Sequence, residues 1–165
     1  MTAPAAQDLF RIDELQTRYI HVLDSKNMEG WLAAFAETPE ASYICTTQES
    51  VARNLPLALI LDDCYARLQD RVTYITKIWA GTFQDYRTRH FIQRVSAGQL
   101  TKDTVRVCTN FTVIYTPDDT GSSEVLTAGV YEDVVRLSGD GGAQFLSKRA
   151  VTDTSVLPRY LVYPL

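Results

Sequence analysis

Residues 105–115 read VRVCTNFTVIY, and their alternation decides the fold class. Val105, Val107, Phe111, Val113 and Tyr115 share one parity, interrupted by Thr109, while Arg106, Cys108, Asn110 and Thr112 fill most of the other. Successive side chains on a strand point to opposite faces, so this pattern predicts a strand with one buried face. Downstream, PDDTG (117–121) and SGDGG (138–142) have turn composition and separate this run from two further extended segments, 124–137 and 144–151. Three such runs are most simply an antiparallel meander.

Working upstream, the period changes from two to between three and four. In 9–23 the apolar positions Ile12, Leu15, Tyr19, Val22 and Leu23 fall on one helical face. DSKN (24–27) breaks that pattern, and Ser25 or Asn27 is suited to cap a short second helix carrying Met28, Trp31, Leu32 and Phe35 on one stripe. TPE (38–40) ends it, and ASYICTT (41–47) reads as a strand. A third helix is expected from Pro56 to about Lys77, with Leu61, Cys64, Tyr65, Leu68, Val72 and Ile75 at helical intervals and Pro56 in its first turn. Helices gathered early and long strands late indicate an α+β fold, with a curved, mainly antiparallel sheet folded over the N-terminal helices. Tyr19, Trp31 and Phe35 lie on apolar stripes and read as core. Asp62 and Asp63 read as exposed helix carboxylates.

At 165 residues and 45% hydrophobic content, one domain spanning 1–165 is expected. The opening MTAPAAQDLF lacks a basic segment followed by an apolar one, and no apolar run approaches the roughly 20 residues that cross a bilayer. A soluble, cytoplasmic protein with no membrane association follows. Three cysteines, an odd number without paired spacing, read as buried thiols.

Where the helical pattern gives way to alternation stands YRTRHFIQRV (86–95), holding three arginines and one of only two histidines. From Arg71 to Arg94 there are five basic residues against Asp85 alone, in a chain of net charge −4. The rest of the surface is therefore acidic and would repel nucleic acid. The basic stretch is either a solvated face or a docking surface for an acidic partner. His90 could act as a general base with Asp24, and with Tyr19 or Tyr43 as donors, if these converged in a pocket enclosed by helices and sheet. A lone histidine flanked by Arg87, Arg89 and Arg94 fits a surface or interface more readily. A Rieske cluster needs two Cys and two His in close pairs, and a mononuclear metal site needs at least three convergent ligands. His21 and His90 are far apart in sequence, without Cys or His neighbours at ligand spacing. Neither a glycine-rich phosphate loop nor a Gly-x-Ser-x-Gly elbow is present.

The ordered segments LDSKNMEGWLAAF, LDDCYARLQDRV, YRTRHFI, AGVYEDVV, SKRAVTDTS and LPRYLVYPL resemble the small, or β, subunit of aromatic-ring-hydroxylating Rieske oxygenases. The resemblance covers nearly the whole chain, and NLPLALILDD with the closing VYPL is most similar to salicylate hydroxylase small subunits, and also to those of anthranilate and terephthalate oxygenases. One departure is that WAGTFQDYRTRH lacks the proline that many members carry between the Trp and the Arg-His pair.

That resemblance implies a nuclear transport factor 2-like (cystatin-like) cone and a structural role. The Rieske iron–sulfur cluster and mononuclear iron would lie in a large α-subunit partner, assembled commonly as α3β3 and fed by an electron-transfer chain. The substrate would be a salicylate-like aromatic carboxylate. Arg71, Trp79, Tyr86, Arg87, Arg89 and His90 are the expected interface, since arginine pairs with carboxylates and stacks on rings. In the alternative, Arg89 and Arg94 are solvated and His90 packs beneath the third helix. A free-standing isomerase or dehydratase using His90 and Asp24 is the competing function.

Overall fold

A computed structural model describes residues 2–165. The leading helix α1 (Ala6–Asp24) buries Ile12, Leu15, Gln16, Tyr19, Val22 and Leu23 along one stripe, as its spacing predicts. Asn27 caps the short α2 (Met28–Ala33) by accepting from the Gly30 amide. Strand β1 (Ser42–Thr47) follows, and Thr47 caps a single turn, α3 (Gln48–Ala52), by accepting from the Ser50 amide.

The expected third helix is corrected here. Its first part is an extended loop and a three-residue strand, β2 (Ile60–Asp62), and the helix α4 spans only Tyr65–Thr73. Ile60 and Asp62 point inward while Leu61 is exposed, a period of two hidden inside an apparently helical series. Asp62 is thus a buried strand residue and Asp63 alone remains exposed. A π-helical turn, Tyr74–Ile78, continues α4, closed by the Trp79 amide donating to the Tyr74 carbonyl at 2.7 Å.

Four long strands complete the chain: β3 (Tyr86–Gln99), β4 (Thr104–Pro117), β5 (Glu124–Leu137) and β6 (Ala143–Thr152). They form the expected antiparallel meander, and the sheet order is β2-β1-β6-β5-β4-β3, with β1 parallel to β6. All β4 residues of odd number from Val105 to Tyr115 face the core, Thr109 included, which Gln16 of α1 meets. The helices cover the concave face of the sheet, and the Arg11 guanidinium ties α1 to the 138–142 turn through the carbonyls of Ser138, Gly141 and Gly142. Gly129 is required on β5, because a Cβ there would lie 2.1 Å from the Val151 carbonyl oxygen.

Inside the cone, aromatic rings meet edge to face: Tyr19 with Phe145 at 5.4 Å, Trp31 with Phe35 at 5.1 Å and with Tyr43 at 5.8 Å. Of the three free thiols Cys45 is buried, and Cys64 and Cys108 are half-buried. Burial pushes the Cys45 thiol up to about 12.

Candidate functional site

The strand alternation of β3 sends Tyr86, Thr88 and His90 inward and Arg87, Arg89, Phe91 and Gln93 outward. The six expected interface residues therefore divide among three places.

The inward group meets the end of α1. Asp24, the last residue of that helix, accepts three hydrogen bonds from β3: from Thr88 Oγ1 at 2.9 Å, from the His90 amide at 3.1 Å and from the His90 ring Nδ1 at 2.6 Å. A carboxylate at a helix C-terminus faces the negative end of the helix dipole, and these donors offset that cost. Burial alone would raise the Asp24 carboxyl, but the hydrogen bonds and charge from His90, with Thr88, hold it below the usual carboxylate range. His90 does not pack beneath α4; its partner is α1, and its side chain is 1% exposed. Its Nε2 is buried without a hydrogen-bond partner among the described residues. Tyr86 is also buried, edge-on to Tyr115 and Tyr163, with the Arg159 guanidinium 4.0 Å above its ring.

The second group sits on α4 and its π-helical extension. Arg71 forks onto Asp62 with two bonds of 3.0 Å, and Trp79 packs on Tyr74 with ring centroids 5.7 Å apart. Both line a cleft of about 260 Å³ with Arg67 and Asp70. Arg87 and Arg89 form the third group, on the outer face of the sheet. Arg89 pairs across the strands with Ile114, and Ile114 with Val125, which is 59% exposed; Phe91, two residues along, is also 59% exposed. Arg87 approaches only Asp118, at 3.9 Å. Arg94, by contrast, is held by Asp13 with bonds of 2.7 and 3.0 Å.

Sequence reasoning missed one cluster completely. Lys148 of β6 is fully buried, donating to Asp133 Oδ2 at 2.9 Å and to Gln16 Oε1 at 3.2 Å, with its ammonium 3.8 Å from the Tyr131 ring centroid and 4.4 Å from those of Tyr19 and Phe145. Burial raises the Asp133 carboxyl and lowers the Lys148 ammonium, each opposed by the other's charge.

The residues of this chain do not fit a Rieske cluster. His90 is committed to Asp24 through Nδ1, and His21 is exposed on α1. Among the described residues no group of three or more His, Cys, Asp or Glu could hold a metal ion. Among the described residues no helix is long and apolar enough to cross a membrane.

A family model described as ring hydroxylating beta subunit matches residues 18–159. The chain belongs to that family. This beta subunit is similar to the beta subunit of a candidate aromatic-ring-hydroxylating dioxygenase from Novosphingobium aromaticivorans, with 27% identity, 93% of each chain covered and a TM-score of 0.79. It is similar in fold to the beta subunit of the benzoate 1,2-dioxygenase of Burkholderia mallei, at 22% identity, covering 98% of this chain and 100% of that one, with a TM-score of 0.71. A naphthalene 1,2-dioxygenase structure aligns at 16% identity over 99% of this chain and 88% of that one, with a TM-score of 0.75. No curated protein sequence matches. The beta subunit has the nuclear transport factor 2-like cone, with an unclosed mixed sheet.

Proposed function

We propose that this beta subunit is the non-catalytic assembly component of a multicomponent Rieske oxygenase, docking on a large α subunit. The observation that carries this reading is the open outer face of the sheet. Arg89, with no salt bridge among the described residues, and Arg87, which approaches Asp118 only at 3.9 Å, flank the apolar positions Phe91, Ile114 and Val125. Arginine beside exposed aromatic and branched side chains is the composition of an interface core, and a partner supplying carboxylates would complete it. Residues 1–165 act as one domain in a cytoplasmic α3β3 assembly, and the three free thiols suit a reducing compartment. In this reading the α subunit holds the Rieske cluster and the mononuclear iron, takes electrons from a reductase chain and hydroxylates a salicylate-like aromatic carboxylate with dioxygen. Arg71 and Trp79 flank a second contact, while Tyr86 and His90 support the docking strand from beneath.

The test is co-expression with a candidate α subunit, purification through a tag on this chain, and measurement of mass and visible spectrum. A colourless product alone and a coloured hetero-oligomer with iron–sulfur absorption together are expected. Replacing both Arg87 and Arg89 with alanine should lower the retained α subunit at least tenfold without changing the fold. Undiminished retention by the double variant removes the arginines from the interface. The competing reading, a free-standing isomerase or dehydratase, draws on the Asp24-oriented His90 ring. It requires turnover by the isolated chain that His90→Ala abolishes.

A further inference from the structure

The closing residues 161–165 have neither helix nor strand, yet Val162, Tyr163 and Leu165 are buried. An exposed tether precedes them, with Val156 and Tyr160 mostly in solvent. Polar and aromatic contacts anchor the segment in the cone. Tyr163 donates to Asp85 and meets Phe83 and Tyr86 edge-on.

At Leu165 the pattern is that of a captured ligand. Its amide donates to the Tyr43 hydroxyl at 2.9 Å, and its main-chain oxygen accepts from Tyr19 at 2.8 Å and from Tyr43 at 3.3 Å. The Trp31 indole donates to Tyr19 at 3.4 Å, completing a set of polar tips inside an aromatic wall. Burial raises the phenols of Tyr19 and Tyr43 well above their ordinary value, so both stay protonated donors at neutral pH. Tyr131 adds a second observation. Its ring is edge-on to Tyr19 at 6.2 Å, and its hydroxyl is fully buried without a partner among the described residues.

We propose that residues 161–165 are an internal occupant of a small-molecule chamber, and that displacing them exposes a site for planar aromatic compounds bearing a carbonyl oxygen. The rings supply the apolar slot and the Tyr19 and Tyr43 hydroxyls bind the oxygen, as they now bind that of Leu165. The inference is independent of how the outer face docks.

The experiment titrates 1-indanone, with indane as the analogue lacking the oxygen, by calorimetry into the full chain and into a chain ending at residue 160. The shortened chain should bind 1-indanone at least tenfold more tightly than the full chain does, and at least tenfold more tightly than it binds indane. The peptide LVYPL should compete, and Tyr19→Phe with Tyr43→Phe should abolish the preference for the carbonyl. A shortened chain that retains its near-ultraviolet dichroism yet binds both probes equally, or no better than the full chain, overturns the proposal. If shortening unfolds the chain, a chain ending at Pro164, which lacks the Leu165 amide and oxygen held by Tyr19 and Tyr43, is judged by the same tenfold criteria and the same reversal.

Discussion

Asp24 concentrates more structural work than any other single carboxylate at the helix–sheet junction. It joins the end of α1 to β3 through three donors, two of them on His90. Asp24→Asn should destabilise the protein by about 2 kcal/mol at neutral pH, since it removes a charged acceptor from partly buried donors. Because the folded carboxyl titrates below its unfolded value, this contribution is complete above about pH 4 and is lost as pH falls through the depressed folded value. Urea denaturation of both proteins at neutral and strongly acidic pH should show the difference shrinking on acidification. Lys148 gives a sharper case. Lys148→Met leaves Asp133 charged and enclosed, and should cost about 3–5 kcal/mol, whereas adding Asp133→Leu should recover at least half of that. Neither residue was legible as core. The strand pattern of β6 changes phase at Leu146, which has no register partner while Phe145 and Ser147 pair with Val135 and Val134. That bulge turns Lys148 inward, and alternation counted from Phe145 places it outside.

At the scale of elements, periodicity carried what was correctly read. The helices α1 and α2 each carry one apolar stripe and β4 alternates between apolar and mostly polar positions, so composition and burial agree there. The failure at 56–64 has a physical cause as well. Leu55, Leu57, Leu59 and Leu61 are exposed, so apolar content there does not report burial, and Ile60 and Asp62 are the inward positions. The single turn α3 has too few residues for any period to show. For His90, parity grouped it with Tyr86 and Thr88 but could not say which group faces the helices. The β5–β6 pair permits a direct test of how tightly the layers close. Gly129→Ala pushes a methyl group into the Val151 carbonyl and against the Phe111 ring, so it should destabilise by more than about 3 kcal/mol, or yield insoluble protein, in a comparison of thermal melts.

For the whole molecule, the division between a filled interior and an open outer sheet face separates stability from association. In the proposed docking the arginines on that face would act through charge, so retention of the α subunit should fall as salt rises from about 50 to about 500 mM, and less steeply for the Arg87→Ala, Arg89→Ala double variant. A salt-independent complex would assign the contact to Phe91, Ile114 and Val125 instead. The parallel pairing of β1 with β6 has a kinetic consequence. Residues 43–45 can pair early with 60–62, but the other edge of β1 finds its neighbour only in 147–152, so while the polypeptide emerges from the ribosome that edge waits until those residues have been translated. Such distant closure makes folding slow and mostly post-translational. In the meantime the leucines of 55–61 and the unpaired edge of β1 are open to any neighbouring strand, which makes chaperone demand during synthesis a property of the topology.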